Sequence, residues 1–371
     1  MLFADVIGHE DVKQRLRQSV AEGRIAHAQL LCGVEGTGTL PLALAYAQYV
    51  CCPHRTATDA CGECPSCVQI AKLAHPDLHL VFPVSKIKER ILSDHYVQEF
   101  RELMTENPYA TYNQWMTTIG ENKKLQIYAA EGDEIVHKLT LKPYESEYKV
   151  MIIWHPEMMH MVCANHLLKI LEEPADKTLF LLVTNRPEEI LGTIQSRVQS
   201  IPVPPLTIDE LSTAARERYN LPEAEALQLS RLAQGSWSRL CELIEQSAEQ
   251  QRNFEFFKRM LRISWALNVK EIMAWSAELK ALGREALCRF FQYTQRMVRE
   301  NFVLRMGNPN ISYMNAEEQA FAAKFSPYVN ERNIEAMMNE LALAEAQIEQ
   351  NGNADIILLD LCGKLYRLLH K

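Results

Sequence analysis

Several absences narrow this chain before any motif is considered. No apolar run approaches the ~18–20 residues that cross a bilayer, so no membrane-spanning helix is expected. The opening Met-Leu-Phe-Ala-Asp lacks a basic stretch leading into an apolar one. A secretory signal is therefore not expected, and a cytoplasmic location is. Positive charge is not in excess: 39 Lys and Arg against 47 Asp and Glu leave a net charge of −8. The isolated chain has no global field that would draw in nucleic acid, so any DNA contact must be local or come through partners. Internal repeats and low-complexity tracts are also missing. Ten cysteines in a chain of cytosolic character argue against a disulfide framework, and five of them crowd between Cys51 and Cys67.

The 371 residues exceed one ordinary core, so two or three domains are expected. Short apolar runs at 29–33, 78–82, 149–154, 179–184 and 200–203 read as strands. Helix-period segments such as 9–22 and 159–171 lie between them, which predicts an α/β domain with a parallel sheet covered on both faces. Ile201-Pro-Val-Pro-Pro205 punctuates the chain, and Thr207-Ile-Asp-Glu210 is a capping box opening the next helix. Beyond it, strand signals nearly vanish. Segments 221–232, 237–245, 254–273, 280–306, 333–350 and 355–370 carry helical periodicity. Residues 109–138 show no clear period and read as a surface insertion.

Residues 33–40, Gly-Val-Glu-Gly-Thr-Gly-Thr-Leu, outline a phosphate-binding loop between a strand and a helix. Gly33, Gly36 and Gly38 keep the turn. Thr39 stands where a lysine would reach the phosphates, and Leu40 where a hydroxyl would hold Mg²⁺. The strand at 149–154 ends in Trp154-His155-Pro156-Glu157 where P-loop ATPases place a metal-holding carboxylate. Lysine, hydroxyl and acidic pair are missing together, which describes a site released from hydrolysis. Glu157 follows a proline and comes late for a metal ligand.

Cys52-x8-Cys61-x2-Cys64-x2-Cys67 has the spacing of a tetrahedral Zn²⁺ site, with Gly62 and Pro65-Ser66 permitting the tight turns. Cys51 competes with Cys52 for the first ligand place, and Cys52 is favoured. Four thiolates leave no open position, so the ion is structural. Thr193-Ile-Gln-Ser-Arg197 closes a loop beside the sheet. Its arginine reads either as a solvated cation or as a finger for a neighbour's phosphoryl group, and the residues alone leave both open.

His27-Ala-x-Leu30, the glycine loop, the four cysteines, Ala164-Asn165-x-Leu-Leu-Lys-Ile-Leu-Glu-Glu-Pro174 and Thr193-Ile-x-Ser-Arg197 occur in this order. Together they resemble the AAA+ clamp-loader family of bacterial replication. The resemblance implies an AAA+ α/β domain at 1–205, with a zinc-binding insertion at about 51–68. It further implies a small helical lid at 206–246 and a helical collar for oligomerisation at 247–371. In function it implies a non-hydrolysing subunit of the DNA polymerase III holoenzyme. Such a subunit joins ATPase subunits and a delta subunit in a five-membered ring that loads the sliding clamp on primed DNA. Arg197 would act in trans on a neighbour's ATP. The family's Ser-Arg-Cys motif here reads Ser196-Arg197-Val198, and its lid arginine is displaced by one place to Arg239, after Ser238. On a helix that displacement turns a side chain by ~100°, so Arg239 is given no nucleotide role. Two other readings compete: an active ATPase with unconventional residues, and a stand-alone zinc-dependent nucleic-acid-binding module.

Overall fold

A computed structural model describes residues 1–87, 90–120, 124–140, 142–306 and 314–370. The chain divides into two compact units, Met1–Leu243 and Ile244–Lys371.

In the first unit β1 (Ala28–Cys32), β2 (Leu78–Val81), β3 (Lys149–Trp154), β4 (Thr178–Thr184) and β5 (Gln199–Pro202) each lie within a residue of expectation. All pair in parallel, in the order β2-β3-β4-β1-β5. Every residue of β3 and β4 is buried, as their unbroken apolar runs require at the centre of a sheet covered on both sides. β5 is a mostly exposed edge, where Pro202 can do without an N–H to donate.

Helices α1 (Glu10–Ala21), α2 (Thr39–Cys51) and α3 (Pro65–Ala71) precede or follow β1. α4 (Val97–Glu106), α5 (Tyr112–Thr118) and α6 (Ala129–Thr140) lie between β2 and β3, and α7 (Met161–Glu172) and α8 (Gly192–Gln195) complete the layers. Side chains alternate across the sheet with period two. Leu31, Ile152, Leu181 and Val183 enter one core with Leu42 and Tyr46 of α2. Leu30, Ile153 and Leu182 enter the other with Leu167 of α7 and Ile194 of α8. The chain leaves β1 toward one edge and leaves its neighbour β4 toward the other. Divergent connections of this kind open a crevice at the strands' C-terminal ends, and the glycine loop sits there.

The segment 109–138 is not a surface insertion. Tyr109, Trp115, Leu125, Ile127 and Ile135 are all buried. Trp115 donates its indole N–H to the Pro83 carbonyl at 2.8 Å and meets Phe82 and Phe100 edge-on. Helices as short as α5 repeat their apolar positions too few times to reveal a period. Residues 121–123 of the segment lie outside the described residues.

α9 (Ile208–Tyr219) and α10 (Glu223–Ala233) follow β5 in the first unit. Thr207 and Glu210 form the expected capping box: the Glu210 N–H donates to the Thr207 hydroxyl, and the Thr207 N–H to the Glu210 carboxylate. The division between units falls inside α11 (Trp237–Ala266).

The second unit continues with α12 (Val269–Lys280), α13 (Arg284–Arg305), α14 (Ala316–Phe325), α15 (Ile334–Glu349) and α16 (Ala354–Leu369). It has no strand among the described residues. Phe257, Trp275, Phe290, Met297, Leu341 and Leu365 centre its core. The helix expected over 254–273 breaks at Leu267, whose φ is 48°. Asn268 then caps α12 by accepting the Glu271 N–H. A side chain with cap chemistry outweighs periodicity there. The architecture is an α/β parallel sheet followed by helices, as the apolar runs and helical periodicity imply.

Candidate functional site

α2 joins the two motif sites of the first unit, with the glycine loop at its N-terminus and the cysteines after its C-terminus. Thr39 and Leu40 are its first residues. Leu40 is 4% exposed and belongs to the core that Leu31 and Leu42 share, so no phosphate-facing position is left to it. Gly36 and Gly38 have φ of 78° and 107°, which only glycine adopts without strain.

Protein packs closely around the loop. Ser236 donates its hydroxyl to the Glu35 carbonyl at 2.9 Å, and the Trp237 N–H reaches the Gly36 carbonyl at 2.9 Å. The Ser238 hydroxyl donates to the Tyr109 carbonyl at 2.6 Å. The Tyr109 hydroxyl accepts the Ile7 N–H, and its ring packs on Gly38. Tyr112 donates its N–H to the Glu35 carboxylate, and buried His9 donates Nε2–H to the Thr37 carbonyl at 2.6 Å. The cavity left among Gly36, Gly38, Thr39, Leu40, Tyr109 and Trp154 is about 20 Å³. That is space for a water molecule, whereas small-molecule pockets start at roughly 300 Å³. Tyr109 has no signal in the sequence that would have marked it, since it begins the segment without a period.

Trp154 closes the crevice from β3, buried against Phe100 with ring centres 5.7 Å apart. Glu157 is fully committed to the protein. One carboxylate oxygen meets His155 Nδ1 at 2.9 Å, and the other accepts the Thr184 hydroxyl at 2.8 Å. Burial works to raise its pKa, but His155 and Thr184 outweigh it and hold the carboxyl below its ordinary value. Arg239 is exposed and takes no part in lining the cavity.

At the other end of α2 the four expected cysteines converge. The sulfurs of Cys52, Cys61, Cys64 and Cys67 all lie within 4.8 Å of one another. Cys52 and Cys61 are 3.5 Å apart, Cys61 and Cys67 3.9 Å, and Cys52 and Cys64 4.0 Å. Bonds of 2.3 Å to a tetrahedral ion would put sulfurs about 3.8 Å apart, so the set fits such an ion. Gly62 makes its turn at φ 76°, and Pro65 opens α3 with Cys64 as its cap. Backbone N–H groups of Cys61, Cys64 and Cys67 each donate to a sulfur of the set at 3.4 Å. The N–H groups of Cys64 and Glu63 draw the Cys61 thiol down to about 6, toward the thiolate a metal needs. Cys51 turns away, its thiol facing the Tyr148 carbonyl, and burial pushes its pKa up to about 12. Cys52, not Cys51, is the member of the set.

Arg197 lies just past α8 with its side chain 35% exposed. One terminal nitrogen donates to the Thr193 carbonyl at 2.8 Å and to the Ser196 hydroxyl at 3.2 Å. The other meets the Glu172 carboxylate at 2.6 Å, from the end of α7. Three of the five guanidinium N–H donors are thereby engaged. The remaining two have no partner among the described residues.

A family model described as "DNA polymerase III, delta subunit" matches residues 8–207. The chain is similar to DNA polymerase III subunit delta' of Bacillus subtilis, 29% identical over 252 residues that cover 68% of this chain and 62% of that protein. It is also similar to DNA polymerase III subunit tau of Escherichia coli, 28% identical over 250 residues, 66% of this chain and 33% of that one. The matches thus span less than two thirds of either relative. Among solved structures, the Bacillus subtilis DNA clamp loader delta protein aligns with 97% of this chain and 100% of its own, at 11% identity and a TM-score of 0.39. Because the family model covers more than half of its residues, the chain belongs to the DNA polymerase III, delta subunit family.

Proposed function

We propose that the chain is a non-hydrolysing subunit of the DNA polymerase III clamp loader. It helps load the sliding clamp on primed DNA and lends Arg197 in trans to ATP on a neighbouring ATPase subunit. The observation that carries this reading is the filled glycine loop, with about 20 Å³ where a nucleotide would need many times more. A subunit without room for its own nucleotide acts through what it presents to others. Arg197 is partly exposed, fixed by three contacts and left with two donors, which suits a phosphoryl group held by another chain.

In this reading residues 1–205 form the AAA+ domain, 206–246 the lid and 247–371 the collar. The subunit works in the cytoplasm within a five-membered ring of ATPase and delta subunits. The four cysteines hold a structural Zn²⁺: four thiolates satisfy the ion and leave no place for a substrate.

The test is reconstitution with the partner ATPase and delta subunits, comparing wild type with Arg197→Ala. The ring should assemble in both, with DNA-stimulated ATP turnover roughly threefold or more lower in the variant, since an arginine finger contributes strongly to the site it serves. Equal turnover would remove Arg197 from the mechanism. Equilibrium binding of labelled ATP to the isolated chain separates this reading from that of an active ATPase, which requires saturable micromolar binding.

A further inference from the structure

The second unit carries a recess of about 370 Å³ to which neither Arg197 nor the glycine loop contributes. Its walls come from two helical faces with the same spacing. Lys258, Leu261, Arg262 and Trp265 occupy one face of α11, at i, i+3, i+4 and i+7. Phe321, Lys324, Phe325 and Tyr328 repeat that spacing on α14 and the turn that extends it. Each face sets apolar groups beside at least one cation. Leu261, Phe325 and Leu369 make a buried floor. Trp265 and Tyr328 stand at its edge, 43% and 45% exposed. The two rings meet edge-on with centres 5.2 Å apart and stay partly open to solvent beside the apolar floor.

The charge around the recess is one-sided. Among the described residues no carboxylate lines it, although the chain as a whole carries −8. Lys258 is paired with Glu255 and the adjacent Arg259 with Glu278. Exposed Arg262 and Lys324 have no ion pair among the described residues.

We propose that this recess binds an acidic peptide segment of a partner protein, seating one large apolar side chain on the floor while flanking carboxylates meet Arg262 and Lys324. The volume lies at the low end of ligand pockets, room for an anchoring side chain rather than an extended ligand. A nucleic-acid strand fits less well. Single-strand binders need successive free ring faces along a cationic track, and Trp265 already stacks on His370 at 4.0 Å. The floor is also poor in polar atoms that could meet a base edge. The proposal is independent of Arg197 and of the glycine loop.

The test uses the full chain and a fluorescein-labelled peptide in which one Phe is flanked on both sides by Asp and Glu. Anisotropy should report saturable binding that weakens as salt is raised. Affinity should fall at least about tenfold in the double variant Arg262→Glu/Lys324→Glu, and similarly when the peptide Phe is replaced by Ala. Both substituted side chains are exposed, and unchanged circular dichroism will show that the fold is retained. Trp265→Ala gives a second variant that removes ring surface without altering charge. Binding unaffected by the charge reversals, equal binding of a Lys-flanked peptide, or no binding at all would overturn the proposal. So would tighter binding of an oligothymidylate, which would make this a nucleic-acid site. Failure of the charge-reversed variant to assemble with partner subunits, with no peptide binding by wild type, would make it a subunit interface.

Discussion

The two ends of α2 differ in what each has kept. At the N-terminal end the glycines hold a turn against which Tyr109, Ser236 and Ser238 pack, with Thr39 and Leu40 opening the helix. At the C-terminal end every group that a tetrahedral ion requires is in place, with sulfurs at metal-binding separations. The lesson is that a backbone shape and a set of ligating side chains are separate signals. Glycines report the turn, whereas convergent donors report the chemistry.

This contrast can be attacked from either end. The largest effect is expected at the cysteines. Cys64→Ser should abolish stoichiometric zinc by elemental analysis and unfold the region locally, since such sites contribute on the order of 10 kcal/mol. Zinc retained at one per chain would erase the difference between the two ends. At the loop, Leu40→Ser puts a hydroxyl into the core and should cost about 2–5 kcal/mol by denaturant titration. Combined with Thr39→Lys it should still not produce ATP binding, because the protein groups that fill the loop remain. Recovery of micromolar ATP affinity by that pair would show that two side chains were all the site lacked.

A smaller effect sharpens what burial does in the formerly periodless segment. Glu131 lies buried in α6 with its carboxylate accepting the Ser93 N–H at 2.8 Å. Burial raises its pKa to about 7. A carboxyl raised in the folded state stabilises fully below its unfolded pKa of ~4.5, and that contribution is lost as pH rises through about 7. Glu131→Gln, which keeps an acceptor for Ser93, should therefore raise stability above pH 7 by on the order of 1–3 kcal/mol and leave it little changed near pH 5. Parallel melting curves at the two pH values measure this. The smallest effect is expected at the surface: Glu172→Gln should change stability by less than about 1 kcal/mol, as exposed ion pairs do. A larger loss would mean that Glu172 supports the fold and not only the placement of Arg197.

Much of the fold was legible because its sheet is parallel and fully covered. β3 and β4 are unbroken apolar runs, and such runs bounded by turns have few other structural outcomes. The cysteines were legible because metal geometry constrains spacing along the chain. Tyr109 and Trp115 were not. Their roles arise from partners far away in sequence, Ile7 and Ser238 for the first and Pro83 for the second. The break at Leu267 was missed because apolar periodicity runs through it while the backbone turns left-handed. The contact between Arg197 and Glu172 links two motifs that the sequence presents separately.

Gly36 carries one more consequence. A Cβ there would lie 2.4 Å from the Ser236 hydroxyl and 2.7 Å from that of Ser238, at a φ that side chains resist. A saturation scan of the loop would therefore report Gly36 as intolerant, the profile expected of a residue that grips phosphate. Here the intolerance would measure the seating of α11's first turn on the loop. Mutational sensitivity at a glycine-rich turn thus records how closely two stretches of chain approach, whether or not a ligand has ever come between them.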